Sequence, residues 1–118
     1  MHGPAHRFLR RTLYGLTEVQ VGIGYPQGAI GVVRAELGPH AARRLALGSD
    51  LLSASECLHL GVFDELAEPN DVVPRALELA TRLAAFPPEL YTRTKRELRA
   101  ATAAHLRAAA AEDPLLEI

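Results

Sequence analysis

The stretch LYGLTEVQVGIGYP, residues 13–26, decides how the rest of the chain is interpreted. Its loose alternation and three β-branched apolar residues predict a short strand over residues 17–23. Glu18 is the one carboxylate in the stretch, and an ionised side chain resists burial unless it is paired or used. Two interpretations follow: Glu18 faces water on an edge strand, or it carries protons in a dry pocket. Residue type alone favours the first.

The composition limits the classes of function that the chain can have. Its 118 residues suffice for one small domain with a modest core. The 13 Lys and Arg residues nearly balance the 14 Asp and Glu residues, and three Phe, three Tyr and no Trp offer few stacking surfaces. We therefore expect no nucleic-acid partner. No apolar run reaches the length of a membrane span, so no membrane partner is expected either.

Cys57 is the single cysteine, which excludes an internal disulfide and a multi-cysteine zinc site. We expect it to be a small buried residue on a helix. Three histidines, at positions 40, 59 and 105, lie at no spacing that suits a metal, so no metal site is predicted. The expected setting is reducing and cytoplasmic.

A glycine-rich loop follows the predicted strand and contains Gly22, Gly24 and Gly28, with Pro26 among them. These residues interrupt regular structure and let a backbone approach a ligand closely. For Gly22 and Gly28, a turn that requires positive φ is the simpler alternative.

Helices are predicted for most of the remaining chain. Periodicity and the positions of Gly and Pro place them over residues 29–37, over residues 39–47, and from Pro88 to about Glu112. Ser53 and Glu56 have the spacing of a capping box, and Gly61 is a stop signal for the short helix that they begin.

A second short strand is predicted over residues 62–68, VFDELAE. Asn70 or Asp71 would cap the helix that follows. That helix is expected to bury a stripe of apolar side chains: Val73, Leu77, Ala80 and Ala84, with Leu83 beside them. One or two short strands make a poor sheet by themselves, so the first strand lacks the neighbours it needs.

Three segments in order, GLTEVQVGIGYP, ELGPHAARRLALGSDLLSASECLHLGVFDELAE and FPPELYTRTKRELRA, resemble the C-terminal half of the crotonase superfamily, the enoyl-CoA hydratase/isomerase group. The resemblance implies an α/β fold: the C-terminal part of a crotonase-like ββα-spiral, mostly helical with one or two short strands. We expect a basic arm over residues 1–15 that does not match the family. A single crotonase-like domain over residues 16–118, truncated at both ends, would follow it.

The resemblance also implies a function and a site. The substrate would be a fatty acyl-CoA thioester, and Glu18 would be the catalytic acid/base. Gly22, Pro26, Gly28 and Lys95 would bind the substrate, Lys95 because a cationic helix face suits the phosphates of coenzyme A. A solvated helix surface is an equally good interpretation of Lys95. No separate cofactor is expected, since coenzyme A is part of the substrate.

The resemblance implies a specific class of substrate, but it leaves more than one type of reaction open. Hydratases of this family use two glutamates, whereas an isomerase can use one, so the single glutamate slightly favours an isomerase. The family's oxyanion hole comes from its N-terminal half, which residues 1–15 do not resemble, so the activity of this chain by itself is left open. The alternative is a non-catalytic module that forms homo-oligomers of the family's trimer type through its C-terminal helices.

Overall fold

The structure, a computed structural model, describes residues 12–112. Strand β1 (Leu13–Tyr14) pairs antiparallel with β2 (Leu52–Ser53), with Leu13 opposite Ser53 and Tyr14 opposite Leu52. The helices are α1 (Gln27–Glu36), α2 (Pro39–Ala42), α3 (Ala54–His59), α4 (Val72–Ala84) and α5 (Pro88–Glu112). A π-helical turn (Arg43–Leu47) continues α2, and a 3₁₀ turn (Pro69–Asp71) precedes α4. The prediction of a mostly helical chain with two short strands is therefore confirmed.

The described residues divide into two compact units. The first contains residues 12–25 and 33–65, and the second contains residues 26–32 and 66–112. Most of the predicted basic arm, residues 1–11, lies outside the described residues, and its last residues include β1. The predicted domain boundary at residue 16 stays a prediction.

The first unit holds a small hydrophobic core. Leu45, Leu52 and Cys57 are buried together, and the last two are completely inaccessible to solvent. Partly buried apolar side chains pack around them: Leu16, Leu37, Leu60, Val62 and Phe63. The ring of Phe63 also meets that of Tyr14 edge-on, with centroids 4.8 Å apart.

In the second unit, the first turns of α1 approach the C-terminal half of α5 at a few points. The Cδ2 atom of Leu106 lies 3.5 Å from the position of a Cβ added at Gly28. A Cβ at Gly31 would lie only 2.5 Å from the His105 ring, so this approach requires glycine unless the imidazole moves. The same imidazole lies 2.9 Å, through Nε2, from the Gln27 carbonyl oxygen.

The capping-box prediction is confirmed in full. The Glu56 N–H donates to Ser53 Oγ at 3.1 Å, and the Ser53 N–H donates to Glu56 Oε1 at 3.1 Å. Gly61 ends α3 with φ of 77°, as predicted. The Gly61 and Val62 N–H groups donate back to the Leu58 and Cys57 carbonyl oxygens, which is a Schellman motif.

The strand predicted over residues 17–23 is wrong. These residues form a helical turn in which the Val21 N–H donates to the Thr17 carbonyl oxygen at 3.3 Å and the Ile23 N–H donates to that of Glu18 at 2.8 Å. Within residues 12–112 no strand lies beside this segment, so its backbone groups find partners locally instead. The strand predicted over residues 62–68 is also wrong, because the Schellman motif turns the chain and the 3₁₀ turn follows directly.

The apolar stripe predicted to be buried on α4 is exposed. Val73 and Leu77 retain 66% and 62% of their accessible surface, and Ala80, Leu83 and Ala84 are exposed as well. Helical periodicity specifies which face of a helix is apolar, but it does not specify that the same chain covers that face. Asp71 is at the N-cap position, as predicted, but its side chain makes no capping hydrogen bond.

None of the helices among the described residues is both long and apolar enough to cross a lipid bilayer.

Candidate active site

Glu18 lies in the first unit, at the start of the turn that Gly22 ends. Its backbone carbonyl oxygen accepts hydrogen bonds from the N–H groups of Ile23 at 2.8 Å and Val21 at 3.2 Å. The Gly22 N–H donates to the Val19 carbonyl oxygen at 3.2 Å, which completes a second Schellman motif. The backbone that carries the carboxylate is therefore fixed by local hydrogen bonds.

The side chain of Glu18 is partly shielded from solvent. Its Oε2 atom is buried and has no hydrogen-bond partner among the described residues. Buried polar atoms are nearly always paired, so an unpaired carboxylate oxygen in a dry position needs an explanation. This geometry contradicts a carboxylate that simply faces water on an edge strand.

Tyr25, which sequence reasoning did not single out, lies beside Glu18. Its hydroxyl donates to the Leu16 carbonyl oxygen at 3.3 Å. Burial is the larger reason that the pKa of Tyr25 is raised, and the adjacent Glu18 carboxylate raises it further, as a competing acceptor and as a negative charge. The tyrosine within the loop GIGYP, seven residues after the carboxylate, was the available signal.

Gly22 has φ of 77°, and nothing lies within 4 Å of a Cβ added there. The space around it is open, so the conformation of the turn, rather than contact with a neighbour, requires glycine. The simpler interpretation of Gly22 therefore explains this residue.

Pro26 and Gly28 belong to the second unit. The Pro26 carbonyl oxygen accepts from the Ile30 N–H at 3.1 Å, which makes it the first acceptor of α1. Gly28 is in the first turn of α1 and faces Leu106. Gly28 does not have positive φ, so a turn that requires positive φ does not explain this glycine, and its role near a substrate stays a prediction.

Lys95 also belongs to the second unit and is exposed on α5. It lines an open groove together with Tyr91, Arg96, Arg99 and Arg107. An exposed cationic groove of this kind can bind phosphate, and it can equally be a solvated surface. Glu18 and Gly22 belong to one unit, while Pro26, Gly28 and Lys95 belong to the other.

Other titratable groups have structural roles. Hydrogen bonds from the Ser53 backbone and side chain lower the pKa of Glu56, and Arg44, 3.7 Å away, adds to the effect. Burial raises the pKa of the Cys57 thiol, which favours an unreactive neutral form. Within residues 12–112 no three His, Cys, Asp or Glu side chains are grouped to hold a metal ion.

The chain matches the profile of one protein family, described as enoyl-CoA hydratase/isomerase, over residues 9–116. A comparison with the curated proteins finds none that matches this chain.

Solved structures of mycobacterial proteins share its fold. An enoyl-CoA hydratase from Mycobacterium marinum is 27% identical with a TM-score of 0.74, and the alignment covers 84% of this chain and 43% of that one. An enoyl-CoA hydratase from Mycobacterium ulcerans has the same identity and TM-score, with 84% and 42% covered. A protein from Mycobacterium tuberculosis is described as an enoyl-CoA isomerase in one solved structure and as a probable enoyl-CoA hydratase in another. Both are 26% identical to this chain with a TM-score of 0.74, and the alignments cover 84% of this chain and 43% and 41% of those chains.

These similarities confirm the predicted fold class and set a limit on the conclusion about function. The chain spans less than half the length of each of these three proteins. Proteins described as hydratases and as an isomerase resemble it equally well, so the reaction type is not distinguished.

Proposed function

Because the chain belongs to the enoyl-CoA hydratase/isomerase family, we propose that the protein acts on acyl-CoA thioesters with Glu18 as the group that carries the proton. The single observation that supports this role is the buried and unpaired Oε2 atom of Glu18. A carboxylate oxygen that receives no hydrogen bond keeps its lone pairs free to accept a proton.

The proposed chemistry takes place next to the thioester carbonyl. Removal of a proton from the adjacent carbon leaves negative charge on the thioester oxygen, and N–H donors aimed at that oxygen lower the barrier. Glu18 takes the proton and returns it to another carbon of the same acyl chain, which moves the double bond. One carboxylate is sufficient for this isomerisation, so we favour it over hydration.

The second unit would contribute to substrate binding. The cationic groove that includes Lys95 suits the phosphates of coenzyme A, because several N–H donors on one helix face can share their charge. Gly22, Pro26 and Gly28 remain proposed as backbone near the substrate, with no cofactor beyond coenzyme A. The free, buried Cys57 agrees with a reducing, cytoplasmic setting.

The test is turnover of a 3-enoyl-CoA and of crotonyl-CoA by the purified chain and two variants. Glu18→Gln removes the carboxylate and keeps the shape, and Glu89→Gln makes the same change on an exposed residue of α5. We expect isomerisation of the 3-enoyl-CoA that Glu18→Gln abolishes and Glu89→Gln leaves unchanged. Turnover that survives Glu18→Gln, or no turnover by the unmodified chain, would overturn the catalytic proposal for this chain.

A second function is favoured by a separate observation, the exposed apolar stripe of α4. A helix face with Val73 and Leu77 both more than half exposed is typical of a surface that another subunit covers. We propose that the chain self-associates through this stripe, as a homo-oligomer of the trimer type, whether or not it is active.

Molecular mass in solution tests self-association. Leu77→Glu places a charge on the stripe, and Arg82→Gln changes the net charge by the same amount elsewhere on α4. We expect light scattering to show an oligomer that Leu77→Glu dissociates and Arg82→Gln does not. A monomeric unmodified chain would contradict this function.

A further inference from the structure

Tyr25 has one hydroxyl proton and two acceptors beside it. The proton is donated to the Leu16 carbonyl oxygen at 3.3 Å, a long distance for an O–H···O hydrogen bond. Burial raises the pKa of Tyr25, and the neighbouring Glu18 carboxylate, a second possible acceptor, raises it further. Its Oε2 atom is the buried oxygen that has no partner.

The two ends of this arrangement are held by the same loop. Leu16 immediately precedes the turn that carries Glu18, and Tyr25 follows the Gly22 stop. The hydrogen bond from the Tyr25 hydroxyl to the Leu16 carbonyl oxygen therefore closes the loop at its base. Glu18 lies between these two residues in the sequence. A hydroxyl can donate one hydrogen bond and accept two, so Tyr25 can serve either ionisation state of Glu18.

We propose that Tyr25 is a positioning residue for Glu18, whose hydroxyl turns between the Leu16 carbonyl oxygen and the carboxylate as Glu18 loses and gains a proton. When Glu18 is ionised, the tyrosine O–H donates to the carboxylate. When Glu18 has taken a proton from substrate, the carboxylic acid O–H donates to Tyr25 Oη, and the tyrosine O–H returns to Leu16. The tyrosine keeps its own proton throughout, so no proton is gained or lost beyond the one that Glu18 carries.

This inference rests on the proposed function for its catalytic consequence, but the contact itself can be measured without substrate. Isotope-labelled tyrosine Cζ gives one resonance for each of the three tyrosines, and Tyr→Phe variants assign them. We expect Glu18→Gln to shift the Tyr25 resonance at neutral pH and to lower the pKa of Tyr25 towards its ordinary value. Glu89→Gln should change neither. A Tyr25 resonance that is insensitive to Glu18→Gln would overturn the proposal, whether or not the chain has activity.

Measurements of turnover then distinguish a role of Tyr25 in positioning Glu18 from a role in stabilising the fold. Tyr25→Phe keeps the ring and removes the hydroxyl, and Tyr14→Phe is the matched control in the same unit. We expect Tyr25→Phe to lower kcat by roughly 10- to 100-fold with little change in KM, and Tyr14→Phe to change neither. If Tyr25→Phe retains full kcat while the resonance still responds to Glu18→Gln, the two side chains touch but the hydroxyl does not position the carboxylate.

Discussion

The two compact units of this chain differ in how much of their apolar surface they bury. The first encloses Leu45, Leu52 and Cys57, whereas in the second Ala109 is the one hydrophobic residue among residues 26–32 and 66–112 that is fully buried. The second unit nevertheless has the longer helices, because a helix satisfies its own backbone hydrogen bonds without a core. The difference teaches that helix formation and burial are separate requirements. Among the described residues, α4 and the N-terminal half of α5 form helix but bury little apolar surface.

The largest effect on stability is expected at Leu52, the most completely buried large side chain of the first unit. Leu52→Ala removes that side chain and leaves a cavity, so we expect a loss of about 2–5 kcal/mol in the free energy of unfolding. Its neighbour Leu51 is 55% exposed, and Leu51→Ala is the control, with an expected change within about 0.5 kcal/mol. Urea denaturation measures both, and equal losses would contradict the assignment of the core.

A smaller loss is expected at the turn that carries Glu18. Gly22→Ala places a Cβ on a residue with φ of 77° and should cost about 1–2 kcal/mol. Gly22→Asn should cost less, because asparagine tolerates this conformation. Thermal unfolding followed by circular dichroism compares the two variants. A larger loss for Asn than for Ala would show that space, rather than φ, selects glycine.

The capping box of α3 should contribute about 1 kcal/mol to the first unit. Ser53→Ala removes the hydroxyl that accepts from the Glu56 N–H, at that expected cost. Ser55→Ala changes an exposed residue of the same first turn and should be neutral or slightly stabilising, since alanine favours helix. Urea midpoints of the two variants, measured side by side, test this difference.

The same box predicts how stability depends on pH. The pKa of Glu56 is lowered from its ordinary value of 4.5, so the unfolded chain takes up this proton at a higher pH than the folded chain. The contribution of Glu56 to the free energy of unfolding is complete above pH 4.5, the ordinary pKa, and is lost as pH falls through the lowered pKa of the folded state. In Glu56→Gln the free energy of unfolding should therefore decrease less steeply as pH falls, while Glu89→Gln should leave this decrease unchanged. An unaltered acid profile in Glu56→Gln would contradict the contribution of this carboxylate.

The smallest effect is expected in the second unit. Leu98 on α5 is 80% exposed, so Leu98→Ala should change the free energy of unfolding of the monomer by no more than about 0.5 kcal/mol. Denaturation of Leu98→Ala and of the unmodified chain is measured at several protein concentrations. A loss of stability that grows with protein concentration would show that another subunit covers Leu98. Either a loss as large as that of Leu52→Ala in dilute solution, or an effect at every concentration, would break the contrast between the units.

Local structure could be predicted from the sequence better than the pairing of strands could. Caps and stops depend on a few neighbouring residues, so the Ser53 box, the Gly61 stop and the α5 bounds were predicted correctly. The strands over residues 17–23 and 62–68 were predicted wrongly because a strand requires partners that alternation cannot supply. The family was correctly predicted from segments in the right order, a signal that does not depend on pairing.

The candidate site was predicted in part for a similar reason. The position of Glu18 came from the resemblance, while the burial of its Oε2 atom depends on how the loop folds. Tyr25 was missed because the contact between its hydroxyl and the Leu16 carbonyl oxygen spans nine residues of irregular chain, which no period or motif describes. The catalytic role of Glu18 and the substrate-binding roles of the other four residues stay predictions.

The buried thiol of Cys57 can report how often the structure around it opens locally. The thiol is buried, so a thiol reagent reaches it only when the surrounding residues open. Burial first, and the nearby Glu56 charge second, also raise the pKa of the thiol, which favours its less reactive neutral form. As the single cysteine, it yields an unambiguous rate of modification without any engineered label. Comparing that rate with exchange of the α5 amides would report separately how often each part of the chain opens.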